Sequence, residues 1–206
     1  MLTQQHETDK RERLIEATRR LMLERGVAGC TTKEIARAAG VAEGTIYNQF
    51  RDKADLYLSV AAELMPQFLR QMPEDPDRRR HPRALLVKVA TETLDAMKEL
   101  VPLLAGIVAE PELLAGAQAR FTAGKASGKT YAGLTGYFRE EQAAGRIGAQ
   151  VDATVLARMF IGTVFNHAFM RLLFGESNLE LTGRRFVESL VDGVLAAAGP
   201  APGKPC

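Results

Sequence analysis

The sequence predicts an all-α fold: a compact N-terminal unit of short helices bent around a glycine, then a larger C-terminal helical domain. Three observations predict it. Apolar residues recur at three- and four-residue steps through most of the chain, the period of helices with a buried stripe. No segment alternates apolar and polar residues convincingly, as a half-buried strand does. Between Thr31 and Phe50 a capping pair, a glycine and an apolar i, i+4 pair follow one another closely, which is the punctuation of two short helices at a bend.

Residues 1–9 are read as a flexible tail. The first helix carries the amphipathic run Leu14-Ile15-Glu16-Ala17-Thr18-Arg19-Arg20-Leu21-Met22 and ends at Gly26. Thr31 and Glu34 then stand at capping-box spacing, the hydroxyl facing the Glu34 N–H and the carboxylate reaching back; Thr32 is an adjacent alternative cap. Ile35, Ala36 and Ala39 give this second helix a narrow apolar stripe. Gly40 stops it, because glycine takes positive φ without a Cβ penalty, and Val41 plugs the corner.

The third helix is expected over Glu43 to Phe50. Ile46 and Phe50 face inward, while Gly44, Tyr47 and Asn48 lie on the opposite side. That outward set is polar or small, and Gly44 lets the main chain come close to a phosphate or base edge. Asp52 caps a fourth helix with Lys53, Leu56 and Tyr57. A short helix, a tight turn and a second helix with one uncovered face is a helix-turn-helix, whose second helix reads DNA bases in the major groove. On spacing alone, a plain helical hairpin with Tyr47 and Asn48 merely solvated is the alternative.

Helix 4 is expected to run through Val60, Leu64 and Phe68 toward Met72. Pro73, Pro76 and Pro82 break the chain around an exposed, solvated Arg78-Arg79-Arg80. Helices follow at 83–100, from Pro102 to near Pro111, and from 112 to 144, the last weakened by Gly124, Gly128 and Gly133. A turn from Gly145 leads to Asp152 as the next cap. Residues 153–174 carry Leu156, Met159, Phe160, Thr163, Val164, His167, Met170, Arg171 and Phe174 at helical steps; residues 181–198 carry Phe186, Val187, Leu190, Val191, Val194 and Leu195. Helices apolar around more than one face are buried on two sides, one packing the protein's own core and the other a partner. Leu156, Phe160, Thr163, Val164, His167, Met170, Arg171, Phe174, Phe186, Leu190 and Val194 are therefore candidates for such a partner face, an ordinary monomer core being the alternative. The Ala-, Gly- and Pro-rich end is expected to be disordered from residue 199 to 206.

Charge limits the function classes. The 27 Lys and Arg against 25 Asp and Glu leave a formal +2, too little for a polycation that coats nucleic acid. Cations instead gather early, at Lys10, Arg11, Arg13, Arg19, Arg20, Arg25, Lys33, Arg37, Arg51 and Lys53. A handful of phosphate contacts is enough for a groove reader, each adding a slope near −0.9 to the salt dependence of binding. Glu12, Glu16 and Glu24 read as a solvated surface. Cys30 and Cys206 have no metal-ligand spacing and form no disulfide framework; Cys30 reads as a packing residue. Sparse cysteine, no apolar leader and no long uncharged apolar run fit a cytoplasmic protein without membrane contact.

From helix 1 onward the order Thr31-Thr32, Ile35-Ala36, Ala39-Gly40-Val41, Gly44-Thr45-Ile46-Tyr47, Phe50 and Lys53 resembles the N-terminal domain of the tetracycline-repressor (TetR) family of bacterial transcriptional regulators. The resemblance covers about residues 10 to 60 and places a DNA-binding domain at 10–57, with a helical effector-binding and dimerisation domain at 58–198. It implies that Thr32 and Tyr47 contact phosphates, that Lys33, Glu43, Thr45 and Asn48 can face bases, and that Lys53 meets the backbone at the start of helix 4. Two departures matter. Ala42 stands where many members have Ser, which weakens the cap of the recognition helix. Asn48 and Gln49 stand where many have His or another ring; either can pair with adenine N6/N7.

The resemblance further implies a homodimer, built on a four-helix bundle of the last two helices from each copy, that binds a palindromic double-stranded operator and releases it when a small molecule enters the C-terminal helices. The candidate lining is Phe68, Met97, Leu100, Leu104, Phe121, Tyr131, Phe138, Met159, Phe165, Asn166 and Phe169, a set suited to a largely apolar effector. No cofactor, metal or catalytic site is expected: the sequence has no nucleophile–base constellation, no metal-spaced His/Cys set and no glycine loop after a strand. The rival reading is a helical small-molecule carrier that uses the hairpin only for packing.

Overall fold

The computed structural model describes residues 2–65, 82–123 and 131–200, with the side chains of residues 2–7, 121–123 and 178 left out. Among the described residues every regular element is a helix: α1 Leu2–Arg25, α2 Thr32–Ala39, α3 Gly44–Gln49, α4 Lys53–Leu64, α5 Pro82–Ala109, α6 Pro111–Ala123, α7 Ala132–Ala143, α8 Ala153–Phe174 and α9 Gly183–Ala198, with a 3-10 turn at Glu176–Asn178. The chain divides into two compact units, Met1–Leu64 with Glu99–Gly124, and Met65–Lys98 with Lys125–Cys206. The boundary expected at residue 58 thus falls inside α4, and the first unit also takes in the end of α5 and all of α6.

In the first unit α1 begins at Leu2, within the segment expected to be a tail, because no glycine or proline interrupts it before Gly26. It buries Leu14, Ile15, Ala17, Thr18, Leu21 and Met22 and packs on α2 and α4. The Thr18 hydroxyl is satisfied within the helix, donating to the Leu14 carbonyl at 2.6 Å. Ile35, Ile46, Leu56, Tyr57 and Val60 complete the core, each fully shielded from solvent. Burial of side chains of this size stabilises by roughly 1.5–3 kcal/mol each. Helix α6 crosses α4 so closely that a Cβ on Gly116 would lie 2.7 Å from the Ala54 methyl; no larger residue fits that crossing.

The expected break at Pro102 is corrected: α5 runs through it. A proline inside a helix removes one main-chain bond at a cost of about 3 kcal/mol. The flanking Leu100, Val101, Leu103 and Ile107 are all buried, and their packing holds the helix together. The single helix expected over 112–144 is two, α6 and α7, with 124–130 outside the described residues. Helix α4 ends at Leu64; Phe68, Met72 and the Arg78–Arg80 loop also lie outside them.

The second unit has its own core, with Leu86, Val89, Ala90, Met97, Leu134, Phe138, Leu156, Phe160, Val164, Phe186, Val187, Leu190, Val191 and Val194 buried. The predicted cap of α8 is present, Asp152 Oδ1 accepting from the Thr154 N–H at 2.7 Å. Arg83 grips Asp192 of α9 with two bonds of 2.7 and 3.0 Å. Gly199, expected to be disordered, is tied in: its carbonyl accepts from Gly148 N–H at 3.1 Å, and Gln150 N–H donates to Ala198 at 3.2 Å. Residues 201–206 lie outside the described set.

Burial divides the candidate residues of α8 and α9. Leu156, Phe160, Val164, Phe186, Leu190 and Val194 are buried within the chain itself. Thr163 and Phe174 are exposed, while His167, Met170 and Arg171 are half-buried. Three members of the candidate ligand lining, Met159, Phe165 and Asn166, are exposed instead, beside the exposed Val155, Leu172 and Leu173. Residues three to four apart share a face, so Leu156, Phe160 and Val164 lie on the covered side of the helix and Val155, Met159, Thr163 and Asn166 on an uncovered one.

Candidate nucleic-acid interface

The site is assembled from local rules. Thr31 and Glu34 form the predicted capping box: the Glu34 N–H donates to Thr31 Oγ1 and the Thr31 N–H to the Glu34 carboxylate, both at 3.2 Å. The Thr31 hydroxyl also donates to that carboxylate at 2.9 Å, and these bonds hold the Glu34 carboxyl below its ordinary value, the hydroxyl contributing most. Arg25 adds an ion pair at 3.0 Å. Helix α2 buries Ile35, Ala36 and Ala39 as its stripe requires. Gly40 ends it at φ 67° and ψ 37°, and the Val41 N–H reaches back to the Ala36 carbonyl at 3.0 Å, closing the turn that positive φ allows.

Across that turn α3 lies with Ile46 and Phe50 buried and Tyr47 58% exposed. Gly44 and Asn48 are exposed with it, and Thr45 and Gln49 are half-buried. No atom comes within 4 Å of where a Gly44 Cβ would stand, so the main chain there is open to a close approach. Glu43 precedes the helix and makes no side-chain cap, in keeping with the weak cap that Ala42 implied.

Neighbouring helices brace this surface. Asp52 Oδ1 accepts from the Asp55 N–H at 2.7 Å and so caps α4. Lys53, the first residue of α4, places its ammonium 5.2 Å from the centre of the Tyr57 ring. The Arg11 guanidinium lies 4.8 Å above the Phe50 ring and donates to the Ser59 hydroxyl at 3.2 Å. Arg120 of α6 is ion-paired with Asp55 and donates to the Asp55 carbonyl at 3.3 Å. Burial, then the nearby Arg51 and Arg11, pull the Arg120 guanidinium below its ordinary value. Sequence reasoning missed the bracing role of Arg11 and Arg120, because no local pattern signals partners so distant along the chain. It also missed that the Thr32 hydroxyl donates to Glu43 Oε1 at 2.6 Å.

The structure therefore places Thr32, Lys33, Gly44, Thr45, Tyr47, Asn48, Gln49 and Lys53 on α2, α3 and the start of α4, with Glu43 immediately before α3, all within the first unit. The candidate effector lining is divided between the two units. Met97, Leu100 and Phe138 are buried, and Leu104, Tyr131 and Phe169 half-buried. Leu100 and Leu104 belong to the first unit and the rest to the second; Phe68 and the Phe121 side chain are not among those described. His167 stacks on Phe186 with ring centres 3.7 Å apart, and burial, then Arg171, lowers its pKa, which fits a packing role. Among the described residues no group of three or more His, Cys, Asp or Glu could hold a metal, and no single helix is long and apolar enough to cross a membrane. Cys30 is buried, and that burial raises its thiol pKa.

Residues 14–60 match the profile of the family described as bacterial regulatory proteins, tetR family. Over 62 residues the chain is 40% identical to the fatty acid metabolism regulator protein of Bacillus subtilis strain 168, a stretch covering 30% of this chain and 32% of that protein. Over 81 residues it is 33% identical to the HTH-type transcriptional regulator AcrR of Shigella flexneri, covering 36% and 38% respectively. The match thus spans about a third of these relatives' own length. Among solved structures, the transcriptional regulator FadR from Bacillus subtilis in complex with stearoyl-CoA superposes with a TM-score of 0.65 over 94% of this chain and 99% of that one, at 22% identity. At that identity the shared feature is the fold.

Proposed function

We propose that this chain, whose residues 14–60 belong to the TetR family of bacterial regulatory proteins, is a homodimeric transcriptional repressor that binds a palindromic operator and is released by a small apolar effector. The observation that carries the reading is the uncovered flank of α3. Tyr47, Asn48 and the bare Gly44 stand in solvent while Ile46 and Phe50 anchor the helix from behind. A helix pinned on one side and polar on the other can enter a major groove, with flanking helices on the phosphates. Two copies related by a two-fold axis would place their recognition helices about 34–36 Å apart, one turn of DNA.

Tyr47 and Lys53 are the residues we assign to the backbone side of that contact, and Lys33, Glu43, Thr45, Asn48 and Gln49 to the bases. A bound dimer represses by obstructing polymerase. The effector acts by favouring a conformation whose recognition helices no longer fit successive grooves, which takes a coupling of about 1–3 kcal/mol. A protein of the same fold holds stearoyl-CoA, so fatty-acyl thioesters are the first effectors to test. The experiment is a mobility shift with duplexes from upstream of the chain's own coding sequence, with and without acyl thioesters. A retarded band that competitor DNA of unrelated sequence does not abolish supports the regulator. Small-molecule binding with no preferred duplex would favour the carrier.

A further inference from the structure

We infer that Glu43 reads a cytosine in each half-site and that Thr32 is the residue that aims it. The inference rests on the DNA-binding reading above and extends it to one base. The Thr32 hydroxyl, on the first turn of α2, donates to Glu43 Oε1 at 2.6 Å across the bend. Glu43 is exposed, its backbone is already helical at φ −57° and ψ −37°, and it does not cap α3. It stands four residues before Tyr47 and so shares that flank. Among the described residues Glu43 forms no ion pair, and its Oε2 has no hydrogen-bond partner.

The chemistry of that arrangement is narrow. An ionised carboxylate only accepts hydrogen bonds. Placed against a polyanion with no cation beside it, it is repelled unless the groove supplies a donor. The major groove offers two kinds, the exocyclic amines of cytosine and adenine. Adenine sets its N7 acceptor next to the amine, facing the carboxylate with a second lone pair. Cytosine presents N4–H2 with no acceptor of its own beside it. One oxygen held by Thr32 and one directed outward therefore favour cytosine.

Thr32 acquires a different role from the one its place in the family implies. A hydroxyl has one hydrogen, and here it is given to Glu43, so it is not available to a phosphate while the pair is intact. Thr32 is a positioning residue, acting on the base through Glu43.

The test is selection of bound sequences from a random duplex pool with the full chain, its Glu43→Gln, Thr32→Val and Thr32→Ser variants. The wild type is expected to enrich cytosine at one position of each half-site. Glu43→Gln should move that position to adenine, which glutamine pairs through N6 and N7. Thr32→Val should weaken the cytosine preference about tenfold at that position alone, and Thr32→Ser should restore it. A wild-type motif that Glu43→Gln leaves unchanged overturns the inference while sparing the regulator reading. Uniform loss on all sequences in Thr32→Val would put the hydroxyl on the phosphates and overturn its positioning role. No enriched motif for the wild type overturns both readings.

Discussion

The Tyr57 hydroxyl donates to the main-chain carbonyl of Cys30 at 3.1 Å, inside the core of the first unit. That bond ties α4 to the loop that delivers the Thr31 cap. Burial keeps the phenol protonated, its pKa far above the ordinary value. Tyr57→Phe should leave the Cys30 carbonyl without its partner and cost about 1–3 kcal/mol. Chemical denaturation followed by circular dichroism measures it; an unchanged midpoint would mean that water takes the place of the hydroxyl.

Gly40 and Gly44 should separate folding from binding. Gly40 sits at φ 67°, so Gly40→Ala should destabilise by about 1–2 kcal/mol. Gly44 has open space where a Cβ would stand and no positive φ, so Gly44→Ala should leave the melting temperature unchanged or slightly raised. Operator affinity should nonetheless fall about tenfold, or 1.4 kcal/mol, as the methyl holds the main chain off the DNA. Equal affinity of Gly44→Ala and wild type would remove Gly44 from the contact.

Tyr47 and Asn48 share the exposed flank but should fail differently. Tyr47→Ala should weaken binding to every duplex, about tenfold or more, as expected for a hydrogen bond to a charged phosphate, with helicity and the mass in solution the same as for wild type. Asn48→Ala should redistribute preference among operator variants by about 1–3 kcal/mol while sparing nonspecific affinity. Titrations against a panel of operator variants and one unrelated duplex distinguish the two patterns.

Thr31→Ala should cost about 1 kcal/mol at neutral pH, the usual loss on removing an N-cap. The pH dependence follows from Glu34, whose carboxyl is held below its ordinary 4.5 in the folded chain. A group depressed by folding contributes fully above its unfolded-state pKa and loses that contribution as pH falls through the folded one. The gap between Thr31→Ala and wild type should therefore narrow in acid, below pH 4.5. Thermal melts of both proteins from neutral pH downward would show it; a constant gap would mean the carboxylate half of the box contributes nothing.

The helix-turn-helix was legible in the sequence because its determinants are local. A threonine three residues before a glutamate makes a capping box wherever the chain is free to turn. A glycine at the end of an apolar stripe can take the φ 67° that Gly40 adopts. An i, i+4 pair such as Ile46 and Phe50 defines one side of a helix by geometry alone. Tertiary structure decided what adjacency in the chain does not encode. Thr32 meets Glu43 and Arg120 meets Asp55 only because packing delivers them. The apolar residues of α8 point several ways, so their period could not say that Phe160 would be covered and Phe174 left in solvent. Pro102, a helix breaker by local rule, stays within α5 because buried neighbours outweigh the one main-chain bond it cannot make.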